Sequence, residues 1–270
     1  MTAATGDVSA SGFSFPDGFL WGTATSSHQI EGGNANNDWW DWEHADGTPC
    51  SEPSGDACDS WERWPEDVAL VAGMGLGAYR FSLEWSRIEP AEGEFSLAAL
   101  DNYRRQSAAL RERGVLPVIT FHHYTVPRWL AQRGGFEWDQ APSRFARFVD
   151  RATSRLGDLM GMACTLNEPN VMALLGYLIG RFPPGRSQDF EAHRRVVGHL
   201  IACHHAARDA VRSGPGDALV GLSLSMTEFT AEPGGEAMAD AGREFMEDVF
   251  LRELGGDDFV GVQGYTRARM

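Results

Sequence analysis

Residues 73–85 read GMGLGAYRFSLEW, and the order of glycines and strand in this stretch decides between two architectures. Gly73, Gly75 and Gly77 stand directly before a β-rich segment, Ala78 to Trp85, and not after one. A doubly wound nucleotide-binding sheet needs the reverse, a glycine-rich turn between its first strand and first helix, where backbone N–H groups meet a phosphate. The stretch therefore argues for a (β/α) barrel.

Outward from it, the same alternation runs in both directions. Phe19 to Ser27 is a short apolar segment, and helical patterning from Val68 to Met74 follows the start signal of Pro65. Leu97 to Arg113 reads as a charged amphipathic helix closed by Gly114, and LPVITFHH, Leu116 to His123, as a strand. Helices are expected over Pro142 to Leu156, Phe190 to Arg212 and Glu236 to Leu254. Strands are expected over Gly161 to Leu166, Ala218 to Ser225 and Phe259 to Thr266. Strands apolar on both faces and separated by helices are parallel strands covered by helices. The expected fold is α/β, of the (β/α)8 TIM-barrel type, with about six of the eight βα units in these residues. Residues 1–14 read as a flexible polar leader and 15–270 as one partial barrel domain. The Gly-, Asn- and Trp-rich stretch from Gly32 to Ser60 is too long for an ordinary βα loop and reads as a lid or wall of a site.

Composition narrows the function. A formal charge of −15 repels phosphate backbones and anionic headgroups, which argues against nucleic acid and membrane partners. No apolar run reaches the roughly 18 to 20 residues of a membrane span, and the leader lacks a basic and an apolar region, so a cytoplasmic location is expected. Cys50, Cys58, Cys164 and Cys203 lack the paired spacing of a zinc site, so no metal and no cofactor is expected, and free thiols are expected at Cys50 and Cys58. Six tryptophans lie between Trp21 and Trp64; flat rings suit sugar faces, although most tryptophans are core filler.

In a barrel the chemistry sits at the carboxyl ends of the strands, and these ends are polar here. The first segment leads to His28, Gln29 and Glu31, the third ends in His122 and His123, and the fourth in Asn167 and Glu168. A strand-end carboxyl such as Glu168 in TLNEPN serves as a general acid when its surroundings favour the protonated form. Taken alone, the same residues also read as a polar turn. Gln29, His123 and Asn167 add the paired hydrogen-bonding groups that a pyranose ring of hydroxyls requires.

Five segments now stand in order: FLWGTATSSHQIEGG (Phe19 to Gly33), YRFSLEWSRI, FHHYTVP, TLNEPN and DDFVGVQGYTR. Together they resemble the glycoside hydrolase family 1 β-glycosidases. The resemblance implies a (β/α)8 barrel and a retaining mechanism with two glutamates, an acid/base after the fourth strand and a nucleophile after the seventh. It implies that Glu168 is the acid/base, that Asn167 holds the sugar 2-hydroxyl, and that Gln29 and His123 bind hydroxyls on the far side of the ring. Arg80 then pairs with the nucleophile and Tyr265 hydrogen-bonds to it. The implied partner is a small-molecule β-glycoside or oligosaccharide.

Three departures accompany the matches. Gln263 and Gly264 stand where the family has asparagine and an aromatic, and Tyr124 stands where tryptophan is usual. No Thr/Ser-Glu-Asn-Gly string of the nucleophile type occurs in the 270 residues. Glu228, after the fifth strand, is the only later strand-end carboxylate and is wrongly placed for the pair; Glu31 and Glu84 are expected to fix barrel geometry by pairing with Arg80 or Arg87. Three forms follow: part of a longer β-glucosidase-like hydrolase, a carbohydrate-binding pseudoenzyme, or a chain completed by self-association through open barrel edges.

Overall fold

The computed structural model describes residues 14–270. The expected leader therefore falls, except for Ser14, outside the described residues. Six strands, β1 (Gly22–Ala24), β2 (Ala78–Ser82), β3 (Leu116–His122), β4 (Met162–Asn167), β5 (Leu219–Thr230) and β6 (Phe259–Arg269), form one sheet in sequence order. Every neighbouring pair is parallel. Helices lie between successive strands, so the sheet curls as an open barrel wall with β1 and β6 at its two edges. The expected α/β partial barrel is what these residues form.

Helices cover the sheet. The outer face of the sheet is sealed by helices Ala141–Leu156 and Phe190–Ser213, whose apolar stripes bury Phe145, Phe148, Val196 and Leu200 completely. Trp85 stacks on Phe148 with ring centroids 5.0 Å apart. Buried aromatic surface of this kind is the main favourable term in the fold. A buried polar tie adds register: His204, on the long helix, meets Thr165 Oγ1 of β4 at 2.7 Å and Asp257, at the entry to β6, at 3.1 Å.

Element boundaries differ from expectation where tertiary contacts supply what the local sequence lacks. The helix expected behind Pro65 begins at Ser60 and contains the proline. Pro65 frees the carbonyl of Trp61, four residues back, and Asn102 Nδ2 donates to that oxygen at 3.1 Å. A further helix, Pro169–Tyr177, follows β4 directly. The helix expected over 236–254 is interrupted by a π-helical turn, Glu244–Asp248, from which the buried Glu247 accepts the backbone N–H of Thr227 at 2.7 Å. Strands β5 and β6 run several residues past their expected ends because they pair with each other as far as Thr230 and Arg269. All four cysteines are free.

Candidate active site

Side chains of β3 to β6 converge on one guanidinium rooted in β2. From β2, Arg80 donates through Nε to Thr120 Oγ1 of β3 at 2.8 Å, and through Nη2 to Asn167 Oδ1 of β4 at 2.6 Å and Ser223 Oγ of β5 at 3.1 Å. Its Nη1 donates to Gln263 Oε1 of β6 at 3.4 Å. Nη2 also reaches Cys164 Sγ at 3.6 Å. Cys164 and Asn167 are an odd number of residues apart, and in a regular strand would point to opposite faces. A bulge in β4 corrects this: between Cys164 and Asn167 the strand uses three steps where β5 uses two, Gly221 to Ser223. Both side chains thereby reach the same cation.

Asn167, 1% exposed, offers its Nδ2 toward His123 Nε2 at 3.4 Å. His123 is depressed to about 3, chiefly by burial and secondly by the charge of Arg80, so its ring is neutral across the ordinary pH range. Its neighbour His122 turns away and packs edge-on to Phe136, and burial pushes it to about 3 as well. Glu168, 8% exposed, follows Asn167 in a left-handed conformation (φ 48°) that aims its carboxyl across the strand ends. Its Oε1 accepts from Gln263 Nε2 at 2.8 Å, and its Oε2 accepts from the Tyr124 hydroxyl. Burial first, and then the hydrogen bond to Glu168, raise the Tyr124 phenol well above the usual tyrosine range. Tyr124 therefore remains a neutral hydroxyl. Beside it opens a cavity of about 390 Å³ lined by Trp42, Met172 and Tyr177 among others.

Arg80, His123, Asn167 and Glu168 are thus in one site. Gln29 and Tyr265 are not joined to it by hydrogen bonds among the described residues. Gln29 is exposed and accepts from Ser26 Oγ at 2.7 Å. Tyr265 is the residue that a second bulge leaves unpaired, between the pairs Met226↔Gly264 and Thr227↔Thr266, and it is 76% exposed. Glu31 pairs with Arg87 at 2.9 Å, as expected. Glu84 corrects its expectation: it pairs with no arginine among the described residues. Fully buried, it accepts from Ser27 Oγ at 3.0 Å, Ser86 Oγ at 2.7 Å and Thr125 Oγ1 at 3.1 Å, which ties the β1 loop to the ends of β2 and β3. Glu228 lies in an exposed ion pair with Arg267. Thr120 and Ser223 carried no motif; their one signal was polarity inside apolar strands.

With this geometry in place, comparison with known proteins is decisive. The family profile described as Glycosyl hydrolase family 1 matches residues 12–254. The chain belongs to glycosyl hydrolase family 1. Among its family 1 relatives, Thermostable beta-glucosidase B of Thermobispora bispora is 38% identical over 276 residues, covering 98% of this chain and 57% of that protein. Beta-glucosidase A of Thermotoga maritima is 35% identical over 233 residues, covering 84% and 52%. The β-glycosidase from Pyrococcus horikoshii superposes with a TM-score of 0.87 at 31% identity, covering 94% of this chain and 63% of that one. This family 1 chain spans about half the length of the curated relatives it matches. No helix among its described residues is long and apolar enough to cross a membrane.

Proposed function

We propose that this chain carries the acid/base half of a retaining β-glycosidase of the β-glucosidase type, with Glu168 as the acid/base. The observation that carries the reading is the placement of Glu168: a buried carboxyl at the end of β4, next to Asn167, with neutral hydrogen-bond partners on both oxygens. In the first step of such a reaction the acid delivers its proton to the glycosidic oxygen as the bond to the sugar breaks; in the second it takes a proton from water. Asn167 would hold the hydroxyl beside the cleaved bond, and His123, with Gln29 swung in from the first strand's loop, would hold hydroxyls across the ring. Arg80 and Tyr265 would serve the nucleophile.

A carbohydrate-binding role without turnover is the second reading; among the described residues Arg80 donates to neutral acceptors. The test compares Glu168→Gln with its parent, in a form that carries the nucleophile strand, on an aryl β-glucoside bearing an activated phenol and on a β-linked disaccharide. General acid catalysis is worth roughly 10²- to 10⁴-fold, so the disaccharide rate should fall by about that much and the activated substrate far less. Equal loss on both removes the acid/base assignment. Sugar binding with no turnover of either substrate by the form that carries the nucleophile strand selects the second reading.

A further inference from the structure

Both carboxyl oxygens of Glu168 carry hydrogen bonds, and both donors stand at positions where the sequence departs from its family. Gln263 Nε2 donates to Oε1 at 2.8 Å and also to Asn167 Oδ1 at 3.1 Å, while the Tyr124 hydroxyl donates to Oε2. The amide of Gln263 cannot turn over. Its Oε1 accepts from Arg80 Nη1 at 3.4 Å, so reversal would set an N–H₂ against a guanidinium and an oxygen against two acceptor oxygens. Oε1 of Glu168 therefore always meets an N–H, which has no lone pair to receive a proton. Oε2 meets a hydroxyl, which both donates and accepts. The two residues joined there, Tyr124 (φ 70°) and Glu168 (φ 48°), each hold a left-handed backbone that side chains rarely adopt.

We propose that Tyr124 and Gln263 are positioning residues that fix where Glu168 carries its proton, on Oε2, with the Tyr124 hydroxyl reversing from donor to acceptor when the proton arrives. The proposal rests on the reading of Glu168 as acid/base. It adds a determinant of proton placement that depends on tyrosine and glutamine at these two positions, and it implies that a glycosidic oxygen takes its proton from the Tyr124 side of the carboxyl.

The experiment is NMR on the whole chain labelled with carboxyl-¹³C glutamate, Glu168 being identified by the signal lost in Glu168→Gln. A hydroxyl proton resonance downfield of the amides is expected in the parent, absent from both Tyr124→Phe and Glu168→Gln, and retained in Gln263→Leu. The Glu168 carbon signal should shift in Tyr124→Phe and in Gln263→Leu. On acidification of the parent, the hydroxyl resonance and the Glu168 carbon signal should change over one pH interval. No such hydroxyl resonance, a resonance indifferent to protonation of Glu168, or an unmoved Glu168 signal in Tyr124→Phe overturns the proposal. Tyr124→Phe removes one oxygen and Gln263→Leu one amide, and unchanged thermal transitions of the two variants exclude a folding defect. The measurement needs no turnover, so the two failures are distinguishable: equal rate losses in the leaving-group test sink the acid/base reading and with it the consequence for the glycosidic oxygen, while the NMR signals alone decide where Glu168 carries its proton.

Discussion

Buried and half-buried titratable side chains near the site pull stability in opposite directions with pH. His122, held near 3 by burial, stays neutral in the fold while the unfolded chain takes up a proton below about 6.5. Its contribution is complete above about 6.5 and is lost as pH falls toward 3. Asp38 is raised to about 8, mainly by burial, although it accepts the N–H of Val126 at 2.9 Å. It keeps its proton in the fold where the unfolded chain has lost it, so its contribution is complete below about 3.8 and disappears as pH rises through 8. Glu31, raised to about 7 because burial outweighs the attraction of Arg87, has the same sign. His123, likewise held near 3, acts with His122, so the four groups offset one another below about 6.5. The thermal midpoint of the chain should therefore fall between pH 6.5 and pH 8, and Asp38→Asn should reduce that fall; an undiminished fall in the variant would show that Asp38 is ionised in the fold. Much at this scale was legible in the sequence, because Glu168, Asn167, His123 and Arg80 sit in contiguous motifs at strand ends. Thr120 and Ser223 were not, since polarity on an inward-facing strand position reads the same whether it meets a guanidinium or water. Gln29 and Tyr265 illustrate a second limit: a motif states which residue, and only the backbone path states where its side chain stands.

At the scale of the element, β5 and β6 approach too closely for any side chain at Gly221. A Cβ at Gly221 would come within 2.1 Å of the Phe259 carbonyl oxygen, which is backbone and cannot swing aside. Gly221→Ala must push β6 away from β5, a shift of the kind that costs on the order of 1–3 kcal/mol in a packed interior. Urea unfolding should show it, and a variant as stable as the parent would mean that the two strands separate freely. Strand and helix existence followed from hydrophobic periodicity, but their ends did not. The Asn102 bond to the Trp61 carbonyl and the Glu247 bond to the Thr227 N–H join residues far apart in sequence, and no local pattern announces them. The bulge in β4 is of the same kind: it leaves no mark in CTLN, yet it decides that Asn167 faces the site.

For the whole molecule, the open sheet sets the expected solution behaviour. On β6, Val260 and Val262 are exposed, Val262 to 63%, and the strand edge presents unpaired backbone groups. The 270-residue chain should sediment as larger species as its concentration rises, and Val262→Lys should weaken that association. A parent chain that stays monomeric at high concentration would show the edge to be inert.

The guanidinium of Arg80 does more than face a ligand. Rooted in β2 and bonded to side chains of β3, β4, β5 and β6, it works as the hub of a wheel whose rim is the sheet. Because the four spokes share one cation, a change at Thr120, Asn167, Ser223 or Gln263 is felt by the group that holds the other three, and through Asn167 and Gln263 it reaches the neighbours of Glu168.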